Sequence, residues 1–225
     1  MKHAWTVDAV RNNARWCNAV CFAHGKSGRF LEHMWVNAEA VPRFYPNAVT
    51  LSAAERDIDE QRQTVRILLK SHIPGRWAVK DSFHTLDIAR LGFDVLAEAN
   101  WIRKVHPRAV AATSGLAWER SSQPSADLPA GLFSDANFAL FSARREGVIV
   151  AGATFYRTET VVGVSNVVAE AADEVAVWHD LVGIAAREFP ELPLVGYESD
   201  DDLEAAHKAG FEVGDPLRIW VKSRA

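Results

Sequence analysis

The sequence predicts an α/β protein built from two related half-sheet units, and three observations carry that prediction. Segments with a helical apolar period alternate with short β-rich runs along the whole chain. Two passages, roughly 77–102 and 194–221, follow one order of strand, polar turn, short helix, Gly-Phe and closing strand. Finally, 225 residues with 48% hydrophobic and 24% charged side chains, and only 13 Gly and 9 Pro, describe a chain that buries a core and is not low-complexity.

The elements follow in order. Val10, Ala14, Cys17, Val20 and Cys21 fall on one stripe, which predicts an amphipathic helix over 7–23 closed by Gly25. Residues 29–36 read as a strand, and Tyr45-Pro46-Asn47 leads into a short β run at 48–51. Ser52 and Glu55 have capping-box spacing, so a helix is expected from there to about residue 71, where Pro74 and Gly75 stop it. A strand at 77–80 follows, then a turn at Asp81-Ser82, a short helix carrying Leu86, Ile88 and Ala89, Gly92-Phe93, and a strand through Ile102. The Ser- and Pro-rich stretch 121–129 reads as exposed linker. Residues 132–146 and 148–158 form a hairpin turned at Arg145-Glu146-Gly147. A strand at 161–168 leads to a helix over 172–188, with Val175, Leu181, Ile184 and Ala185 on one face and Phe189-Pro190 at its end. A strand at 194–197, an acidic turn at Asp200-Asp201-Asp202, a short helix, Gly210-Phe211 and a strand at 217–221 close the chain.

The repeat extends to residues. Leu86-Asp87-Ile88-Ala89 before Gly92-Phe93 mirrors Leu203-Glu204-Ala205-Ala206 before Gly210-Phe211, and Asp94-Val95 mirrors Glu212-Val213. The expected units are 1–104 and 105–225, with Trp101 and Trp220 near the same place in the two closing strands. Eight tryptophans exceed what a core of this size requires, so some are expected to line a pocket or the junction of the units.

Charge and composition narrow the function. A net charge of −4, with Lys and Arg interspersed among acids, gives no reason to approach a phosphate backbone, so nucleic acid is excluded as the expected partner. No apolar run nears the ~20 residues of a membrane span. Asp8 and Arg11 break the layout of a signal peptide, and the expectation is a cytoplasmic protein. Cys17 and Cys21, four apart on one helix face, read as reduced, buried thiols; His24 continues the face, but the spacing fits no common zinc pattern and no metal is expected. Asp200-Asp201-Asp202 reads as an acidic cap on the helix that follows, and Arg11, Arg15, His84 and Arg218 read as solvated or paired surface groups.

The ordered series of hairpin, strand, long helix, strand, short helix, Gly-Phe and closing strand over 132–221 resembles the GNAT superfamily of N-acetyltransferases, and 200–221 is similar to its C-terminal signature. More weakly, 49–103 resembles a second copy, so the chain looks like a divergent tandem member. The resemblance implies a mixed sheet flanked by helices and splayed between the strands 161–168 and 194–197. It further implies acetyl-CoA or another acyl-CoA entering the splay, and direct acyl transfer to a small amine or amino-acid-like acceptor. Homo-oligomerisation is left open.

Two departures stand against full carry-over. The family's glycine-containing diphosphate loop corresponds to Val168-Ala169-Glu170-Ala171-Ala172-Asp173-Glu174, which has neither glycine nor a basic residue. The positions that would touch the donor are therefore Val167, Val168, Ala169, Ala172 and Asp173, with acids where phosphate would sit. The family's tyrosine, four residues before the glycine of Gly-Phe, is here Ala206. The nearest substitutes are Tyr197 and Glu198, of which strand alternation would point one into the cleft. Opposite them, Ser165-Asn166 interrupts an apolar strand, and Asn166 is either a ligand for substrate or carbonyl, or a local bulge residue. Two functions stay open: an acyl-CoA-dependent N-acyltransferase with a degenerate donor loop, using Asn166, Tyr197 and Glu198, or a catalytically inactive tandem module that binds a metabolite or protein.

Overall fold

The computed structural model describes residues 3–109, 111–170 and 173–222. Its strands are β1 (Arg29–Phe30), β2 (Met34–Val36), β3 (Ala48–Thr50), β4 (Ala78–Asp81), β5 (Phe93–Lys104), β6 (Trp118–Ser121), β7 (Phe138–Arg145), β8 (Val148–Arg157), β9 (Val162–Ala169), β10 (Leu194–Glu198) and β11 (Glu212–Lys222). The helices are α1 (Thr6–Ala23), α2 (Glu55–Lys70), α3 (Glu174–Glu188) and α4 (Asp200–Lys208). All the strands join one mixed sheet in the order β1-β2-β3-β4-β11-β5-β10-β9-β8-β7-β6. Among the described residues no helix is long and apolar enough to cross a membrane.

The centre of that order is exchanged between the two repeats. β5 closes the first passage, yet it lies against β10 of the second; β11 closes the second and lies against β4 of the first. β5 and β11 then pair antiparallel with each other from Phe93↔Lys222 to Arg103↔Glu212. Each closing strand ends by sending a lysine to the turn of the opposite repeat. Lys104 Nζ donates to the carbonyls of Ala209 and Gly210 at 3.2 and 3.1 Å, and Lys222 Nζ to that of Gly92 at 3.0 Å. Gly92 and Gly210 have φ of +79° and +86°, which a residue with a Cβ adopts only under strain. Each closing strand thus lies on one side of residue 105 in sequence and pairs with strands from the other side.

Helices cover the sheet according to their apolar stripes. α1 buries Ala9, Val10, Ala14, Trp16, Cys17, Val20 and Cys21, and packs towards β8, β9 and β10. Fully burying each large apolar side chain contributes ~1.5–3 kcal/mol before chain entropy is subtracted. α2 places Val65 and Leu68 with Trp77, Val79 and Trp220. α3 and α4 share the largest core, where Trp178 meets Phe211 edge-on at 5.1 Å beside Leu181, Ile184 and Phe155.

Several local expectations are corrected. The single strand over 29–36 is two strands paired antiparallel, because a tight turn closes with Leu31 N donating to Met34 O. Glu55 does start α2, but its cap is Ala54; Ser52 Oγ accepts from Ala54 N and closes a turn ahead of the helix instead of capping it. The short helix near Leu86 is reduced to one 3₁₀ turn, Ala89–Leu91. Asp81 is the cause: its carboxylate accepts the amides of Thr85 and Leu86 and holds that stretch as a loop. Trp101 and Trp220 stand near the same place in β5 and β11, one residue out of step when Phe93 is aligned with Phe211, and they pack in different clusters. The hairpin turn is as read, with Glu146 and Gly147 both at positive φ between paired Arg145 and Val148.

Candidate functional site

A parallel pair holds strands together only while register lasts. β10 is paired to β5 along its whole length, Leu194↔Lys104 to Glu198↔Asn100, whereas it meets β9 at two positions, Leu194↔Val162 and Val195↔Gly163. β9 remains with β8, so the sheet opens between β9 and β10, and among the described residues the β9 edge over 164–169 that faces β10 pairs with no strand. α1 lies over the closed end, with Asn12 Nδ2 donating to the carbonyl of Tyr156 at 2.8 Å.

At the open end a cleft of about 190 Å³ is lined by Asn13, Trp16, Cys17, Phe44, Tyr45, Pro46, Lys80, Ser165, Asn166, Val167, Tyr197 and Glu198. Asn166, Tyr197 and Glu198 are therefore brought together, although alternation predicts that Tyr197 and Glu198 part. Both reach the cleft because β10 ends at Glu198, beyond the last pairing with β9. Asn166 sits at φ +53° where the β8–β9 register shifts, and its amide donates to Thr154 Oγ1 at 3.3 Å. It is thus a bulge residue and a cleft residue at once.

The electrostatics of the cleft come from burial. Burial pushes the Glu198 carboxyl up to about 8, and the negative charge of Asp202 adds to the shift. Burial also raises the Tyr45 phenol, against a smaller opposing effect from its hydrogen bond with Asn166. Cys17 is raised by burial, with the Lys80 charge opposing, and Cys21 is pushed up to about 12 by burial and its neighbouring thiol. Both cysteines are free and buried, and neither presents a thiolate. Among the described residues no cluster could hold a metal ion.

Lys80, Asn13 and Tyr45 belong to this site and were not singled out from sequence. Lys80 is 3% exposed, and its ammonium donates to Asn13 Oδ1 and to the Tyr197 hydroxyl, each at 2.9 Å. The available signal was positional: Lys80 and Tyr197 end matching strands of the two repeats. Lys80, Tyr197 and the segment 44–46 also border a second, more apolar cavity of about 470 Å³, reached by Trp77, Leu96, Ile219 and Val221.

Sequence comparison finds no matching family model and no matching curated protein. Solved structures do match. A GCN5-related N-acetyltransferase from Kribbella flavida superposes with a TM-score of 0.60 at 13% identity, over 94% of this chain and 96% of that one. A second, from Sphaerobacter thermophilus, gives 0.56 at 11% identity over 96% and 93%. The fold is that of the GCN5-related N-acetyltransferases. A conserved protein of unknown function from Staphylococcus epidermidis also superposes, with a TM-score of 0.55 at 10% identity over 85% of this chain and 84% of that one.

An acyl-CoA donor, implied by the resemblance in sequence, can be tested against two places. At the strand opening the β9 edge and the cleft leave backbone groups and space that an acylated arm would fit. Val167 lines the cleft, while Val168 and Ala169 pair with Gly152 and Ala151 on the other edge. Ala172 lies outside the described residues. The start of α3 does not fit a diphosphate. Asp173 Oδ1 accepts the amides of Val175 and Ala176 at 3.0 and 3.2 Å, so the helix amides that would take phosphate are already bonded to a carboxylate, with Glu174 beside them.

Proposed function

We propose that the chain is an N-acyltransferase that transfers an acyl group from a thioester, acetyl-CoA or another acyl-CoA, to a small amine or amino-acid-like acceptor. The observation that carries this reading is the opening between β9 and β10 with Glu198 at its mouth, a carboxyl pushed up to about 8. A base whose pKa lies near the working pH combines a substantial ionised fraction with the strength to remove an amine proton.

A bound thioester supplies an activated carbonyl, and the chain's residues have the remaining tasks. The Glu198 carboxylate takes a proton from the acceptor amine, which frees the nitrogen lone pair. Tyr197 holds a proton for the departing sulfur: its oxygen accepts from Lys80, which leaves its own O–H available to donate. Asn166 sits at the cleft wall to orient the acyl carbonyl through its amide. Trp16, Phe44 and Pro46 wall the cleft with apolar surface that limits water. Positioning supplies most of the rate, as expected where no covalent intermediate is needed.

The test is thiol release from acetyl-CoA with a panel of primary amines and amino acids, run beside a thermal melt with millimolar acetyl-CoA. Ligand at 100 times its dissociation constant adds about 2.7 kcal/mol, or roughly 5–10 °C for a chain of this size. A melt shift with amine-dependent thiol release supports the transferase. No shift and no turnover over the panel sinks it in favour of an inactive binding module, for which the self-capped α3 is the motive.

A further inference from the structure

We propose that Lys80 is the carboxylate-binding group of the acceptor pocket, so that the acceptor is an amine bearing both a carboxylate and an apolar body, such as a hydrophobic amino acid. This deepens the transferase reading and rests on it for the word acceptor, but the binding itself does not depend on turnover.

The first observation is a buried cation without a buried anion. Lys80 is 3% exposed, and among the described residues no carboxylate lies within ion-pair distance of it; its two hydrogen bonds go to neutral oxygens. The neighbouring Asp81 is spent on the amides of Thr85 and Leu86. An ammonium carries three donors, and beyond the Asn13 and Tyr197 oxygens Lys80 Nζ meets only the face of the Tyr197 ring, 4.0 Å from its centroid, so one donor has no oxygen acceptor. Taking an ammonium out of water costs several kcal/mol, and buried charges are as a rule paired, so an anion brought to Lys80 would return part of that cost.

The second observation is where that ammonium sits. Lys80 and Tyr197 line both the cleft at the strand opening and the adjoining apolar cavity, so the lysine side chain stands at their junction. A carboxylate there places an α-amine within the compartment that Glu198 shares. The side chain of such an acceptor enters the cavity walled by Trp77, Leu96, Ile219 and Val221. Arg43, stacked on Phe44 with its guanidinium carbon 4.5 Å from the ring centroid, adds positive potential at the cavity rim. The charge arrangement selects an anion, and the walls select a hydrophobic one.

The experiment is calorimetric binding of N-acetyl-L-phenylalanine and of N-acetylphenethylamine, which differ only by the carboxylate, to the wild-type chain and to Lys80→Met. A charge-assisted contact in a buried site predicts that the wild type prefers the carboxylate by roughly 10- to 100-fold. Lys80→Met should abolish the preference and leave the weaker binding of the neutral probe. Equal affinity of the two probes for wild type, or a preference that survives in Lys80→Met, overturns the assignment. If Lys80→Met fails to fold, equal affinity of the two probes for the wild type still overturns the assignment, and Arg43→Met separates the two cations: it should keep the preference, and its loss there would overturn the assignment to Lys80. A merely structural lysine would move stability and leave the probe ratio unchanged. Absence of thiol release with amino acids, in the presence of the carboxylate preference, would refute the transferase and retain the site.

Discussion

The two parallel strand pairs of the sheet start alike and end differently. β3 and β4 pair at Ala48↔Val79 and Val49↔Lys80, then diverge, as β9 and β10 do after Gly163↔Val195. In the first repeat the divergence is sealed. Thr50 Oγ1 accepts the amide of Ser82 at 2.8 Å, both residues are buried, and Asp81 turns its carboxylate into the following loop. In the second pair the positions beyond the last register include Tyr197, Glu198 and the bulge at Asn166, and among the described residues no side-chain hydrogen bond of these three bridges β9 and β10. A parallel pair with short register therefore does not make a site by itself. What makes one is whether the next side chains satisfy the backbone across the gap or leave it to a ligand.

The largest expected effect falls on the open pair. Glu198→Gln keeps the shape and removes the base, and acyl transfer should fall by about 10²–10⁴-fold in kcat/KM, with acetyl-CoA still raising the melting temperature. Activity of the wild type should climb with pH through about 8 as the carboxyl ionises. Stability should run the opposite way. A folded pKa raised from 4.5 to about 8 gives a contribution that is complete below about 4.5 and is lost as pH rises through 8. Melting temperatures of wild type and Glu198→Gln, measured from pH 5 to 9, should therefore diverge in favour of the variant at the alkaline end. Parallel curves would show that Glu198 is not held neutral by burial.

Next comes the sealed pair. Thr50→Val is nearly isosteric and orphans the Ser82 amide in the core, which costs about 1–3 kcal/mol. In a chain of this length that lowers the melting temperature by roughly 2–10 °C. Thiol release should keep its KM, since the seal lies in the other repeat; a raised KM would mean that the two parallel pairs are mechanically linked through β11 and β5.

A smaller effect concerns the donor's far end. With the α3 amides bonded to Asp173, the diphosphate finds no helix terminus, so acetyl-CoA and acetyl-pantetheine should differ by less than about tenfold in dissociation constant. Competition titrations of the two donors check this, and a hundredfold preference for acetyl-CoA would reveal a phosphate site elsewhere.

The order of elements was legible because long helices and strands with two or more apolar positions per turn or face announce themselves locally. The strand opening at Asn166, Tyr197 and Glu198 came from resemblance, and the structure places those residues around one cleft. What was not legible was non-local. The exchange of β5 and β11 leaves no trace in either strand, because each carries the same alternation whichever parallel pair it joins. Lys80 reads as the polar end of an apolar strand until Asn13 and Tyr197 are brought to it from 67 and 117 residues away. The Asp81 loop reads as a helix because its apolar residues have helical spacing, while the carboxylate that captures the amides of Thr85 and Leu86 lies just upstream.

The smallest effect isolates backbone from side chain at the bulge. Asn166 tolerates φ +53° better than most residues with a Cβ, and glycine tolerates it better still. Asn166→Gly therefore preserves the bulge and removes only the amide that reaches Thr154 and the Tyr45 hydroxyl. The exposed position makes the stability change small, within about 1 kcal/mol, since the relieved strain and the lost hydrogen bond oppose each other. If the bulge exists to open the sheet, the variant keeps its affinity for acetyl-CoA and its kcat. If the amide orients the acyl carbonyl, affinity is kept while kcat drops by roughly an order of magnitude, about 1.4 kcal/mol of lost transition-state stabilisation. The second outcome is expected, because the side chain points to groups that line the cleft, whereas a residue serving the backbone alone would have no partner there.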